Sequence, residues 1–170
     1  MYLQNNQSLR MKKPKPEPLD QSGLKHAAVD LLSRRDYSRR ELWRKLSPKA
    51  ASADDLECVL DELAERQWQS DERFASMFVR SRASRGVGPV RLKQELREKG
   101  VDGETACSAF ETSEENWHEK ALEVARRKAR SIGHDNPDFK LKLWRFLSYR
   151  GFSSDQISAA VDTLLRESSE

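Results

Sequence analysis

The sequence predicts an all-α protein made of three tandem three-helix repeats of about 50 residues, strung into an elongated, curved array. Three observations carry this expectation. Composition is the first: hydrophobic residues make up 36% of the chain and charged residues 35%. Leu, Arg, Glu and Ala are abundant and β-branched residues few, which favours helix over strand. That is too little apolar material for one deep core in 170 residues, but it suits small modules with large polar surfaces. The second observation is a repeated line of text. "RELWRKLSPKAASADDL" from Arg40, "RLKQELREKGVDGETAC" from Arg91 and "LKLWRFLSYRGFSSDQI" from Leu141 share one pattern. Leu42, Leu92 and Leu143 fall in one column and Leu46, Leu96 and Leu147 in the next. Leu56, Ala106 and Ile157, then Leu60, Phe110 and Val161, continue the register beyond a loop. A period near fifty marks a repeat protein, and helical periodicity alone does not keep register across a loop. The third observation is the apolar spacing within each copy, which follows the period of a helix.

The expected organisation is a disordered tail over 1–22, repeat one over 23–68, repeat two over 69–112 and repeat three over 113–170. The tail contains "KKPKPEPLD", a Pro- and Lys-rich stretch that reads as extended and mobile. The first helix of repeat one is "LKHAAVDLLSRR", where Leu24, Ala27, Ala28, Leu31 and Leu32 form one buried face. Phe74, Met77 and Phe78 are expected to play that part in repeat two, and Trp117, Ala121, Val124 and Ala125 in repeat three.

Second helices carry the paired leucines. Ser38 and Glu41 have capping-box spacing, with Tyr37 and Leu42 placed as a hydrophobic staple. Repeat two reaches the same entry with Gly88, Pro89 at the first helical position, and Val87 with Leu92 as staple. Gly100 and Gly151 suit left-handed helix ends, and Val101 and Phe152 are placed to fold back on the last turn. Repeat one has Ala50 there, after Pro48, so its turn must differ.

Third helices start at Ser52, Asp102 and Ser153. Leu56, Val59, Leu60 and Leu63 make the stripe of repeat one, and Ile157, Ala160, Val161 and Leu164 that of repeat three. Repeat two is weaker, with Ala106, Ala109 and Phe110. Eighteen positions separate Leu24 from Leu42 and Phe74 from Leu92, but 26 separate Trp117 from Leu143. The extra eight residues, about two helical turns, predict a longer first helix in repeat three, ending at Gly133. A new helix is then expected from Asn136-Pro137.

Charge repeats as well. Residues 34–49, 80–99 and 121–150 each carry a balance of +5, whereas 54–65, 104–119 and 153–170 carry −6, −5 and −3. Each module thus has a basic first half and an acidic third helix. Opposite charges on adjacent helices can simply pair on solvated faces. If the modules stack in line, the basic segments merge into a positive stripe that attracts phosphates.

Other classes find little support. No segment approaches the roughly 20 apolar residues of a membrane span, and no signal-peptide core stands at the start, so cytoplasm is the expected compartment. Cys58 and Cys107 do not suggest a disulfide framework. His26, His118 and His134 lack metal-ligand spacing. "GVGP" at Gly86 reads as a helix entry rather than a phosphate loop, and no catalytic triad is legible in sequence order. The expectation is no catalytic residue, no metal and no cofactor. Trp43 and Trp144 share a column and read as packing, while Tyr149, beside Arg150, is the better base-stacking candidate.

"LLSRRDYSRRELWRKL" and "VLDELAERQWQSDERFASMFVRSRASRGVGPVRLKQELREKGV" resemble the RecX regulatory proteins of bacteria. The middle stretch is the most specific: an acidic residue and "RFA", a basic helix, a Gly/Pro turn, "RLKQEL", then "KGV". The resemblance covers about residues 24–165. Ala50 replaces a turn glycine, Trp68 stands where a small residue is usual, and the third repeat carries its insertion. What the resemblance implies is a non-enzymatic protein that binds the RecA recombinase and the RecA–single-stranded DNA filament. It implies restraint of filament growth, ATP hydrolysis, strand exchange and coprotease activity. A monomer with weak direct DNA binding is expected. The alternative is a direct DNA-binding protein or repressor built of helix-turn-helix-like modules. Charge and repeat position nominate the contacts. They are Arg34, Arg35, Arg39, Arg40 and Arg44 in module one, and Arg80, Arg82, Arg85, Arg91 and Lys93 in module two. Module three supplies Arg126, Arg127, Arg130, Lys142, Arg145, Tyr149 and Arg150.

Overall fold

Helix propensity and capping chemistry set the elements found in the computed structural model, which describes residues 17–133 and 136–167. The described residues form nine α-helices and no strand. Module one comprises α1 (Gln21–Leu32), α2 (Arg39–Leu46), a 3₁₀ turn (Ser47–Lys49) and α3 (Ala53–Glu65). Module two comprises α4 (Asp71–Ala83), α5 (Pro89–Glu98) and α6 (Gly103–Ser113). Module three comprises α7 (Trp117–Ile132), α8 (Phe139–Arg150) and α9 (Ser154–Glu167). Residues 1–16 and His134 lie outside the described residues. The sequence reading carries a mobile tail to residue 22, yet Leu19 already exchanges backbone hydrogen bonds with the Lys49–Ala51 stretch and α1 begins at Gln21. Lys49 lacks a helical partner for its carbonyl after the Pro48 turn, and Leu19 supplies the N–H at 2.7 Å.

The caps follow the expected chemistry. Ser38 and Glu41 form a reciprocal capping box, and Ser153 with Gln156 forms another. Ser52 and Asp102 cap α3 and α6. Gly88 precedes Pro89 with no side-chain cap. Gly100 and Gly151 sit at φ +82° and +90°, where a side chain is strained. The following residues return their N–H groups to the last turn, Val101 to Leu96 at 3.1 Å and Phe152 to Leu147 at 3.2 Å. The expected lengthening of repeat three is present: α7 runs sixteen residues and ends at Gly133. Its successor begins at Phe139 rather than at Pro137, because Asn136 first closes a turn that accepts from the Asp138 N–H.

Each module has its own core. Leu24, Leu42, Leu46, Leu56, Leu60 and Leu63 anchor the first; Phe74, Val79, Leu92 and Leu96 the second; Leu143, Leu147, Ile157 and Val161 the third. Two expectations need correction. Met77 is 53% exposed, and Ala75, Val79 and Ala83 complete the buried face of α4 instead. Trp117 packs against the core of module two, not module three, with its ring 5.7 Å from that of Phe110. The physical reason is the poverty of α6, which buries only Ala109; a large ring from the next module fills the gap.

Modules join through the ends of their second helices. The Gly88 N–H donates to the Arg150 carbonyl at 2.8 Å and Val90 N–H to Gly151 at 3.0 Å. One junction earlier, the Ser38 hydroxyl donates to the Lys99 carbonyl at 2.7 Å. So the N-terminus of α5 meets the C-terminus of α8, and the N-terminus of α2 meets the C-terminus of α5. At the second junction free N–H groups of a helix start donate to free carbonyls of a helix end, and at the first the Ser38 hydroxyl does so.

Candidate filament and nucleic-acid interface

The line of second helices sets where the basic residues lie. At the first junction the Arg40 stem lies against Gly100, and its guanidinium donates to the Arg97 carbonyl at 3.4 Å. Lys99 reaches Glu41 at 2.6 Å, Arg73 reaches Asp36 at 2.8 Å, and Asp71 accepts from the Arg39 N–H at 2.8 Å. Arg39, Arg40, Trp43 and Arg97 line a cavity of about 570 Å³ there, shared with Glu57 and Asp71. At the second junction Arg91 donates to the Tyr149 carbonyl and lies 5.4 Å from the centre of its ring. Tyr149 is 75% exposed. On another side of this junction, Arg85, Arg127, Lys128 and Arg150 line a cavity with Val124, Ser131 and Phe146.

The nominated cations fall into two groups. Arg34 pairs with Asp30, Arg35 with Glu41, Arg39 with Asp61, Arg82 and Arg91 with Glu95, Arg126 with Glu167 and Arg127 with Glu123. These pairs interrupt the expected unbroken stripe: a carboxylate one turn away, or on a facing helix, draws each guanidinium down to the surface. The second group has no carboxylate partner among the described residues. Arg40 and Arg150 bond backbone carbonyls, Lys142 bonds Asn136, and Lys93 lies over Phe110. Arg44, Arg80, Arg130 and Arg145 are exposed, as is Arg85, which contributes only its carbonyl to Arg150. Lys128 and Arg97 were not nominated, although both stand in the basic runs; the packing of α7 on α8 sets Lys128 beside Arg150, and the meeting of modules one and two sets Arg97 beside Arg40.

Two carboxylates are tuned by this network. Burial works against ionised Glu95, but hydrogen bonds from Arg82 and Arg91 outweigh it and hold the carboxyl below its usual range. At Glu41 burial is likewise outweighed by the hydrogen bonds from Lys99 and Arg35. Both cationic clamps are structural, and Glu41 spans two modules. Among the described residues no three His, Cys, Asp or Glu lie where they could hold a metal ion, and no helix is long and apolar enough to cross a membrane.

Comparison with known proteins agrees with the repeat architecture. The family model for the first three-helix domain of RecX matches residues 25–63, that for the second 70–109 and that for the third 114–161. The chain is 43% identical over 134 residues to the regulatory protein RecX of Chromohalobacter salexigens, covering 79% of this chain and 88% of that protein. It is 44% identical over 141 residues to the regulatory protein RecX of Neisseria meningitidis serogroup C, covering 83% and 90%. The crystal structure of RecX from Lactobacillus salivarius superposes with a TM-score of 0.75 at 26% identity, covering 85% of this chain and 96% of that one. Three matched domains in order, on three separate cores joined end to end, make this chain a member of the RecX family of regulatory proteins.

Proposed function

We propose that this protein is a non-enzymatic regulator that binds the RecA recombinase and its filament on single-stranded DNA. It limits filament extension and with it ATPase, strand exchange and coprotease activity. The observation that carries the reading is that the ends of α2, α5 and α8 meet in succession, which joins three small cores into one chain of modules with arginines at both junctions. A line of modules suits a groove that winds along a nucleoprotein filament better than it suits a small-molecule cleft. Family membership supports the regulatory role. In this reading Arg44, Arg80, Arg85, Lys93, Arg130 and Arg145 meet phosphate or acidic recombinase surface. The paired arginines hold the modules in shape. The protein acts as a cytoplasmic monomer.

The test is a RecA filament assay with and without the protein, read by ATPase rate and electron microscopy. The expected result is a slower ATPase and shorter filaments at protein concentrations where binding to bare DNA is slight. Were eight phosphates of a bare strand neutralised, its affinity would fall with a log–log salt slope of roughly −6. No effect on RecA, together with tight sequence-selective duplex binding, would replace this reading by that of a repressor.

A further inference from the structure

We infer that the cavity between modules two and three is a phosphate site that seats one phosphodiester of a single-stranded nucleic acid. The inference rests on the filament reading and names the chemistry at one point of that surface. The cavity has a volume of about 250 Å³. Its charged lining is Arg85, Arg127, Lys128 and Arg150, with no carboxylate among the lining residues. Three elements supply them. Arg85 comes from the turn after α4, Arg127 and Lys128 from α7, and Arg150 from the end of α8.

Elsewhere the chain neutralises its converging arginines. Arg82 and Arg91 close on Glu95 at 2.6 and 2.9 Å. Among the described residues only Arg127 in this cavity has a carboxylate partner, Glu123 at 3.6 Å, with both side chains more than half exposed. Such a pair is weak. Lys128 and Arg150 each stand 5.3 Å from the centre of the same Phe146 ring, and the Arg150 guanidinium is held by the Arg85 carbonyl at 3.2 Å. The ring attracts each cation but neutralises neither, and an anion in the cavity would do so. The ring faces and the carbonyl pre-organise the donors, so less conformational freedom is lost on binding. Cations converging from three elements match the tetrahedral spread of charge on a phosphate. The carboxylate pattern of this protein is different, with guanidinium forks closing on one planar group, as at Glu95. Because Arg85 belongs to module two and the others to module three, a bound phosphate also ties the junction.

The experiment uses the full chain with isotope-labelled arginine, following the Nε–H signals of Arg85, Arg127 and Arg150. Three probes are titrated separately at low salt: an oligothymidylate of about 20 nucleotides, inorganic phosphate, and polyglutamate. The expected result is that oligothymidylate moves these signals at lower concentration than phosphate does, and that polyglutamate leaves them in place. In a parallel salt titration, Lys128→Gln lowers the log–log slope for oligothymidylate by about 0.7, the increment of one lost phosphate contact on a single strand. Arg66→Gln removes the same charge far from the cavity and leaves the slope unchanged. Equal slopes for the two variants, or signals that follow polyglutamate and not oligothymidylate, would overturn the inference. Among the described residues the Lys128 ammonium makes no hydrogen bond, only its carbonyl accepting from the Ser131 hydroxyl, and an unchanged melting temperature shows that its variant is folded. RecA ATPase, measured on the same samples, separates the two readings. Inhibition with unmoved cavity signals removes the phosphate site alone. Moved signals without inhibition remove the filament reading and leave the site standing.

Discussion

Gly88 shows how much of the architecture rests on single atoms. Its own backbone conformation is ordinary, φ −81°, so conformational freedom is not the reason for glycine. A Cβ there would stand 2.3 Å from both the carbon and the oxygen of the Gly151 carbonyl. Gly88→Ala should therefore force modules two and three apart and break the Gly88–Arg150 hydrogen bond, costing about 1–3 kcal/mol as overpacking does elsewhere. Thermal melting and faster hydrogen exchange at Val90 would report it; an unchanged melt would mean that the junction slides without cost. Arg82 makes a second case. It was nominated as a contact, yet it grips Glu95 from two nitrogens. Arg82→Gln should lower stability by about 1 kcal/mol, the upper range for a partly exposed pair. By contrast Arg80→Gln and Arg145→Gln, at exposed positions with no carboxylate partner among the described residues, should leave melting unchanged and weaken inhibition of RecA ATPase. Loss of stability without loss of inhibition in the first, and the reverse in the second pair, is the expected division.

Elements were legible to the extent that their causes are local. The paired leucines of α2, α5 and α8, the Ser38–Glu41 box and the left-handed glycines are read directly from neighbours within a few positions. Trp117 was not, because its partner Phe110 belongs to another module and the weakness of α6 shows only when helices are assembled. The same holds for the contact set. Basic runs are visible in sequence, but which arginines find carboxylates depends on facing helices, as for Arg126 with Glu167. Separate cores carry a further consequence at this scale. Leu96 is fully buried in the core of module two alone. Leu96→Ala should cost about 2–5 kcal/mol, with hydrogen exchange accelerated in α4–α6 well before α1 or α9. Uniform acceleration throughout the chain would mean that the modules unfold as one.

Across the whole molecule the two junctions are chemically unlike, and this makes them respond differently to acid. Modules one and two are joined by carboxylates: Glu41 with Lys99, Asp36 with Arg73, and Asp71 with the Arg39 N–H. Modules two and three are joined by backbone N–H groups and guanidinium groups that all donate to carbonyls, and no described ion pair crosses between them. Folding lowers the Glu41 pKa, since the hydrogen bonds from Lys99 and Arg35 outweigh its burial. The folded chain thus binds that proton more weakly than the unfolded one. The stabilisation it brings is complete above the unfolded value of about 4.3 and is lost as pH falls through the lower folded value. Acid should accordingly loosen the first junction while the second stays closed. Cys58 on α3 and Cys107 on α6 are exposed and lie in modules one and two, so spin labels at these native thiols report the first junction. Their distance distribution should be narrow at pH 6 and broaden below about pH 4. Glu41→Gln should broaden it in part already at pH 6 and flatten the dependence, while labels placed across α6 and α9 should show no such change. A first junction as narrow at pH 3.5 as at pH 6 would mean that the helix-end contacts, with Ser38 donating to Lys99, hold the modules without help from charge.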